Sequence, residues 1–498
     1  MNETNTYSPI EQENSYHRIF QRIFSFGSIQ VVNILVNLIR GKFVALFLGP
    51  EGMGISSLFV SSTTTIQQIS GLGLNLAFVK EIAKEKDNPD TIPHILSVAK
   101  RLIWITALLG FIICAIASPW LSRFTFGNES YTISFVVLSA GVLLSVAGTG
   151  YMAILQGLGE VKRLAKASLV GGIIGLILGV PLYWIFQYNG IVPAMILLAL
   201  AVFLFYYLSY RKISAPHKVN FDSAQHTPII RRLISLGVIL MLGTVIGTST
   251  NYLINVFVRN YGSVDDVGLF QAANSLTNQY IGFLFTAMAM DYFPRLSAVI
   301  RQTEALIAVV NRQAEIVMLI ATPIILILIL STPLIIKLLL TDAFISITPL
   351  MRWLGMGVLL QCVTFPISYL FLAGDNRRLY IWCEIIISNI LWIVCSIGCY
   401  YLFDLVGLGI SLVVRTLIDI FITFVVCSKF YKFRYTRKSI LISSICIAFA
   451  LTAFIITFFD GLIFLVSEIL ITLISIIFSL YTLKKLMGRN NPHICETK

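Results

Sequence analysis

The chain has 498 residues, of which 57% are hydrophobic and 12% charged, and its formal net charge is +12. This composition excludes a soluble globular protein, and the basic residues are distributed as a membrane topology signal rather than as a nucleic-acid-binding patch. No Gly-x-x-x-x-Gly-Lys-Ser/Thr motif occurs, which excludes ATP hydrolysis by a phosphate-binding loop.

Fourteen apolar stretches follow one another along the chain, and about 20 residues suffice for a helix to cross the bilayer core. They are residues 23–48, 56–79, 95–117, 132–156, 166–187, 190–210, 232–259, 267–293, 315–340, 346–373, 380–403, 405–428, 439–459 and 462–483. The sequence therefore predicts an all-α integral membrane protein with 14 transmembrane helices.

The basic residues lie almost entirely on one side of these predicted spans. Of the 36 Lys and Arg residues, 29 fall in the two tails, in the loops that join even- to odd-numbered spans, or at the adjoining helix ends. The opposite side holds only Arg123, Arg259 and Lys337. Because cytoplasmic loops are enriched in Lys and Arg, both termini are predicted to be cytoplasmic.

Sequence landmarks recur after about 214 residues. Gly49 and Gly54 follow span 1 and correspond to Gly262 and Gly268 around the start of span 8. An offset of six helices returns the chain to the same side, so the repeats are parallel. The prediction is two six-helix lobes around a central cleft, followed by two additional helices. The predicted segments are an N-terminal tail (1–22), an N-lobe (23–210), a linker (211–231), a C-lobe (232–428), helices 13 and 14 (439–483) and a C-terminal tail (484–498).

Polar side chains form stripes on several of the predicted helices. In span 1, Asn33, Asn37 and Arg40 share one helical face, and in span 7 Asn251 and Asn255 do the same. Such residues commonly form hydrogen bonds between membrane helices, which is the simpler explanation of any one of them. Because the stripes recur at the repeat offset, a hydrated cleft lined by these residues is the favoured interpretation.

Four basic residues lie within predicted spans: Arg40, Lys42, Arg352 and Arg415. A charge at the bilayer centre costs several kcal/mol unless it meets a partner or a cavity. These cations are therefore candidate ligands for an anionic substrate.

Two acidic residues of predicted spans 11 and 12 are candidates for coupling transport to an ion. Glu384 lies near the inner end of span 11, and Asp419 lies one turn after Arg415 in span 12. The Arg415–Asp419 spacing of i, i+4 also suits a local structural ion pair, which stays open as the alternative.

Three motifs resemble the multidrug/oligosaccharidyl-lipid/polysaccharide exporter superfamily, in its polysaccharide-transporter branch and particularly its O-antigen flippases. The first is residues 40–55, with the sequence RGKFVALFLGPEGMGI. The second is residues 69–73 (ISGLG) with residues 79–83 (VKEIA), and the third is residues 156–160 (QGLGE). The second motif is similar to the end of helix 2 in enterobacterial common antigen flippases. The resemblance covers residues 20–430.

This resemblance implies the flipping of undecaprenyl-pyrophosphate-linked oligosaccharide from the inner to the outer leaflet of a bacterial inner membrane. The implied partners are that glycan lipid, membrane lipids and other polysaccharide assembly proteins, with no nucleic acid, cofactor or metal. The family's cleft cations would correspond to Arg40 or Lys42, Arg352 and Arg415.

Two alternatives stay open at this stage. One is another exporter of the same fold, either a drug/cation antiporter or a peptidoglycan-precursor flippase. Drug exporters of the superfamily often place an acidic residue in helix 1, where this chain has Asn33 and Asn37. The other alternative is a membrane polysaccharide polymerase or ligase, which would need a catalytic outer loop. The predicted outer loops are short, which argues against an enzyme.

The predicted topology can be tested by thiol labelling in whole cells. A cysteine introduced at Ser263 should react with a membrane-impermeant reagent, whereas a cysteine introduced at Ser223 should not, because the two positions are predicted to lie outside and inside. Labelling after cell lysis is the control for reactivity. The reverse pattern would invert the orientation.

Overall fold

The computed structural model describes residues 9–213, 223–374, 376–459 and 461–488. Within these ranges the regular structure is helical and no strand occurs. Backbone amide and carbonyl groups have no water to bind in the bilayer core, so helices that satisfy them internally are one of the two backbone structures that can span it.

The α-helices are numbered α1 to α16 in chain order. They are α1 (Pro9–Ser70), α2 (Leu74–Glu85), α3 (Ile92–Ile116), α4 (Ser118–Phe126), α5 (Thr132–Gly157), α6 (Val161–Phe186), α7 (Ile191–Arg211), α8 (Ser223–Tyr261), α9 (Val264–Val299), α10 (Thr303–Leu330), α11 (Thr332–Leu339), α12 (Thr348–Ala373), α13 (Arg377–Leu379), α14 (Ser388–Tyr431), α15 (Arg437–Ile456) and α16 (Leu462–Gly488). Short 3₁₀ segments occupy Gln187–Gly190 and Asp342–Ile347, and a π-helical segment, Tyr380–Ile387, joins α13 to α14.

Ten stretches of the described residues are long and apolar enough to cross a membrane. Three of them, Ile34–Ser70, Val161–Arg211 and Tyr380–Tyr431, contain 37, 51 and 52 residues, which is long enough for two crossings each. Large apolar side chains are exposed along many of these helices, as expected where they face lipid. The protein is therefore an all-α, multi-pass membrane protein, and the number of 14 crossings stays a prediction.

The three long stretches are broken near the places where the sequence predicts a loop. Gly49 leaves the helical conformation with φ 65° in α1, and Pro50 follows it. The 3₁₀ segment Gln187–Gly190 separates α6 from α7. Phe403 and Asp404 break α14, and Asp404 has φ 48°. Each break comes between two predicted spans. Helix α1 also begins at Pro9, within the predicted N-terminal tail.

Two short helices reproduce the sequence repeat. Helix α4 follows α3 and has Pro119 in its first turn, and α11 follows α10 and has Pro333 in its first turn. The two prolines are 214 residues apart, which is the offset found between the glycine landmarks. Proline suits a first helical turn because its missing N–H would have no partner there.

The chain forms two compact units, residues Met1–Val264 and Asp265–Lys498. In unit 1, the rings of Phe59, Phe126, Tyr131 and Phe135 pack with centroid distances of 4.0 to 6.1 Å, and they join α1, α4 and α5. The division places α8 in unit 1, whereas the sequence assigns it to the predicted C-lobe. The lobe boundaries inferred from the sequence repeat therefore stay a prediction.

In unit 2, a buried cluster joins α9, α10 and α12 to the segment that enters α15. Tyr292, Phe371 and Phe433 are at most 1% exposed, and the Tyr292 hydroxyl donates to the Pro366 carbonyl at 2.6 Å. Asn311 of α10 donates to the Arg434 carbonyl at 3.0 Å, and its Oδ1 accepts from the Thr436 amide at 2.8 Å. Thr436 in turn caps α15. Asn311 thus fixes the start of the C-terminal helix pair.

Replacing Asn311 by Ala should lower the stability of unit 2. The change removes the hydrogen bonds to the Arg434 carbonyl and from the Thr436 amide, at about 0.5–1.5 kcal/mol each. Thermal unfolding in detergent should show a lower midpoint. The matched control is Asn389→Ala, since Asn389 is half-buried and donates locally to the Ile385 carbonyl, one turn earlier in the chain. Equal midpoints for the two variants would contradict the bridging role of Asn311.

Candidate functional site

An open cavity of about 400 Å³ lies between α1, α6 and α7 of unit 1. Three glycines on one face of α6 leave the space for this cavity, because they have no side chains. A Cβ at Gly172 would contact Val36 of α1, and one at Gly175 or Gly179 would contact α7. The helices approach closely along this face, and larger side chains would fill the space between them. The lining residues are Val36, Asn37, Arg40, Ser168, Gly172, Gly175, Leu176, Gly179, Val180, Tyr183, Ala194, Leu198, Val202 and Tyr206.

The polar wall of this cavity comes from the predicted stripe of the first span. Asn37 is exposed and Arg40 half-buried, and both line the cavity as neighbours on one face of α1. Ser168, Tyr183 and Tyr206 add hydroxyl groups among the apolar residues. A guanidinium can form a bidentate contact with a phosphate, and the apolar walls can contact hydrocarbon, so this arrangement suits an amphipathic anion.

Lys42, another candidate of α1, lies apart from this wall. Lys42 is half-buried and is not one of the lining residues. It lies two residues after Arg40, which turns it about 200° around the helix. Asn33 belongs to the helical backbone of α1, but its side chain is outside the described part of the structure.

The asparagines of α8 are removed from solvent. Asn255 is 1% exposed, and neither of its amide atoms has a hydrogen-bond partner among the described residues. Asn251 is half-buried, and its buried Oδ1 lacks a partner within the same residues. An unpaired buried amide costs free energy, so these two side chains are unusual in this state of the protein.

A charged cluster occupies the long stretch Tyr380–Tyr431 of unit 2. The Arg415 Nε donates to Asp419 Oδ2 at 3.3 Å, and Nη2 donates to the Ser388 hydroxyl at 3.0 Å. Ser388 donates to the same Asp419 oxygen at 3.3 Å. The guanidinium also lies 5.0 Å from the centre of the Trp392 ring. The Arg415 and Asp419 side chains are 16% and 20% exposed, so both charges are largely removed from solvent.

Glu384 adds a second carboxylate to this cluster. It lies in the π-helical segment Tyr380–Ile387 and interacts electrostatically with Asp419 and Arg415. Single π-helical turns are frequent at functional sites. Asp419 forms the ion pair with Arg415, and Glu384 brings a second carboxylate near it, so the cluster has a negative excess when both are ionised. Such an excess can be balanced by a proton or a small cation.

Arg352 makes a different kind of contact. Its Nη1 donates at 3.1 Å to the carbonyl of Thr457, the C-cap residue that follows α15, and it interacts electrostatically with Glu468 of α16. A basic side chain at the last carbonyls of a helix is favourable because those groups have no intrahelical partner. This contact favours a role in attaching the C-terminal helices over one in substrate binding.

The sequence did not single out the residues that complete these sites. Ser388 and Trp392 join the Arg415 cluster, and Tyr183 and Tyr206 join the cavity, through contacts between helices. No local pattern identifies such residues. The glycine spacing of α6 was the available signal for close helix packing, because small residues at intervals of three or four mark membrane helix interfaces.

The Arg415–Asp419 pair can be tested with single and double substitutions. Arg415→Ala should lower expression and thermal stability, because removing one partner of a buried pair costs about 3–5 kcal/mol. Adding Asp419→Ala should recover part of the loss, since no lone charge remains. A double variant that is as stable as the parent but inactive in transport would move Arg415 into the substrate or coupling site.

Residues 43–349, more than half of the chain, match the polysaccharide biosynthesis protein family. The Lipid III flippase of Escherichia coli (strain K12) is 23% identical over 368 residues, which cover 71% of this chain and 85% of that protein; the same match is found for Shigella flexneri. A Lipid II flippase, MurJ, in an inward closed conformation superposes with a TM-score of 0.71 and 15% identity, over 94% of this chain and 99% of the other. An inward-facing multidrug resistance MATE transporter of the MOP superfamily superposes with a TM-score of 0.67 and 18% identity, over 81% of this chain and 94% of the other. With its helix repeat, its membrane-spanning helices and these matches, the chain belongs to the polysaccharide biosynthesis protein family, and its fold is similar to that of MOP superfamily transporters.

Proposed function

We propose that the protein flips an undecaprenyl-pyrophosphate-linked oligosaccharide, the repeat unit of O-antigen or a similar surface polysaccharide, from the inner to the outer leaflet by alternating access. The observation that carries this proposal is the cavity of unit 1, where Arg40 and Asn37 meet the apolar and hydroxyl-bearing walls of α6 and α7. Family membership and the likeness to a Lipid III flippase support the same substrate class.

The chemistry of such a substrate matches the side chains on this wall. The pyrophosphate is anionic, and Arg40 is the cation that lines the cavity. The glycan is polar and finds Asn37, Ser168 and two tyrosine hydroxyls. The polyprenyl tail is apolar and can stay in contact with lipid while the head group moves. Flipping changes no covalent bond, so the protein acts as a transporter and not as an enzyme.

The remaining assignments belong to the same proposal. The protein lies in the bacterial inner membrane with both termini in the cytoplasm, and two six-helix lobes enclose the transport cleft. Asn251, Asn255, Arg415 and Lys42 are further substrate contacts to test, and Glu384 with Asp419 is the candidate coupling pair. Membrane lipids and other polysaccharide assembly proteins are the expected partners.

A second candidate function is the flipping of a peptidoglycan precursor. The Lipid II flippase superposes over nearly the whole chain, and its TM-score of 0.71 is the observation that favours this reading. Its 15% identity shows the fold alone. Complementation separates the two: the gene should restore surface polysaccharide in cells that lack an O-antigen flippase, and it should not rescue cells depleted of their Lipid II flippase. The opposite result would favour the second candidate.

Arg40 provides the test of the site. Arg40→Ala should reduce surface glycan at least about tenfold at normal protein level, since two charge-assisted hydrogen bonds to a phosphate are lost. Arg40→Lys should restore part of the activity, because the charge remains but the bidentate contact is lost. Glycan would be measured on gels and protein level by immunoblot.

The matched control is Lys166→Ala, which removes an exposed cation from α6 that does not line the cavity. This variant should keep its glycan level. Wild-type glycan in Arg40→Ala cells would remove Arg40 from the mechanism, and an equal loss in both variants would indicate a general effect of charge.

A further inference from the structure

Helix α8 is fastened at its C-terminal end to the short helix α4. The Arg259 side chain donates from Nε to the Thr125 carbonyl at 3.0 Å and from Nη2 to the Phe124 carbonyl at 3.1 Å. These carbonyls belong to the last turn of α4, where no intrahelical partner is available and a cation is favoured. The Tyr252 hydroxyl adds a hydrogen bond to Thr125 Oγ1 at 2.5 Å. We refer to these contacts of Arg259 and Tyr252 with α4 as the Arg259 latch.

The end of α4 is shaped to receive this guanidinium. Gly127 ends the helix with φ 77°, a conformation that L side chains rarely adopt. A Cβ at Gly127 would collide with the Arg259 guanidinium. The glycine therefore serves both the turn and the close approach of Arg259.

The face of α8 beneath the latch carries the unpaired amides. Asn251, Asn255 and Val258 follow each other at i, i+4 and i+7, which places them on one side of the helix. Val258 is fully buried and Asn255 nearly so. Within the described part of the structure, both amide atoms of Asn255 are buried without a hydrogen-bond partner, so keeping this face of α8 buried costs free energy that opposes the hydrogen bonds of Arg259.

The other end of α8 has its own attachment. His226 Nε2 lies 3.1 Å from His94 Nδ1 of α3, and Arg232 forms an ion pair of 3.3 Å with Glu81 of α2. Gly237 also packs closely against the backbone of Leu72 and Gly73. Further along the helix, a Cβ at Gly247 would meet no described atom within 4 Å. The segment of α8 around Gly247 therefore has room to bend while the end near His226 stays attached.

We propose that the Arg259 latch is a gate of the transport path on the predicted outer side, and that Asn251 and Asn255 bias it toward opening. When the C-terminal part of α8 leaves α4, the two amides gain water or the polar head group of the substrate as partners. The docked state is then only modestly favoured, and a substrate that binds the asparagines shifts the balance. This gate rests on the proposed transport function.

The experiment measures the docking of α8 without any substrate. A cysteine replaces Val258, on the buried face, and the purified protein in lipid nanodiscs is labelled with a maleimide. Arg259→Gln in this background should speed labelling by at least about tenfold, because two charge-assisted hydrogen bonds are lost. Asn255→Leu should slow labelling about three- to tenfold, because an apolar side chain removes the cost of docking. The double variant should fall between the two.

The controls use the same reporter. The parent without the added cysteine gives the background from the native cysteines. Arg123→Gln removes an arginine of α4 itself, which forms an exposed ion pair with Glu129. This variant should leave labelling unchanged. Arg259→Lys keeps the charge and should give a smaller increase than Arg259→Gln. If Arg259→Gln does not fold, Asn255→Leu alone decides the outcome.

Asn255→Leu also separates a gate from a merely structural contact. It should raise the thermal midpoint of the protein and at the same time reduce surface glycan, since the docked state becomes too stable. Labelling that is unchanged or faster in Asn255→Leu would overturn the proposal. A correct labelling pattern together with normal glycan would keep the latch but separate it from transport. Because the labelling needs no substrate, a failure of the proposed flippase function would leave its result unaffected.

Discussion

The scarcity of partners for charged and polar groups in the membrane organises this structure. A guanidinium buried among helices needs acceptors, and helix C-termini offer carbonyl groups that have no partner of their own. Arg259 meets the end of α4, and Arg352 meets the end of α15. Each of these contacts gives a hydrogen-bond partner both to the guanidinium and to the carbonyl at the helix end, two groups that are costly to leave unpaired. It also fastens a peripheral helix to the body of its unit, so the charges within the spans hold the helices together.

The same constraint separates the arginines by role. Arg415 is held by Asp419, Ser388 and the Trp392 ring, and it is largely enclosed. Arg40 instead lines a cavity whose other walls are glycines, apolar side chains and tyrosines. An arginine whose guanidinium is engaged by its own protein has few donors left for a ligand, whereas one on a cavity wall is available. For this reason Arg40 is the stronger candidate for phosphate binding, although the sequence places all four cations in the same class.

The sequence predicted well those features that depend on local backbone chemistry. Breaks at Gly49, at Gln187–Gly190 and at Phe403–Asp404 fall between predicted spans, because glycine, proline and polar residues interrupt the apolar runs there. The repeat offset also recurs in α4 and α11. The surroundings of single side chains were harder to predict. Asn255 belongs to a stripe expected to face water, but it lies buried in unit 1, where α8 packs against α4. Helical periodicity identifies a common face, and only the tertiary contacts decide what that face meets.

The opposing contacts on α8 explain how such a helix could change position in a membrane. Two charge-assisted hydrogen bonds contribute roughly 1.5–3 kcal/mol each, and each unpaired buried amide costs about 1–3 kcal/mol. These terms are of similar size, so the docked and undocked states differ by a small free energy. A transporter requires this near-balance, because a substrate can shift an equilibrium only by its differential affinity for the two states. If Asn251 and Asn255 formed a fully satisfied polar network, the docked state would be too stable for α8 to leave it. The two unpaired asparagines are therefore better explained by the requirement to move than by imperfect packing.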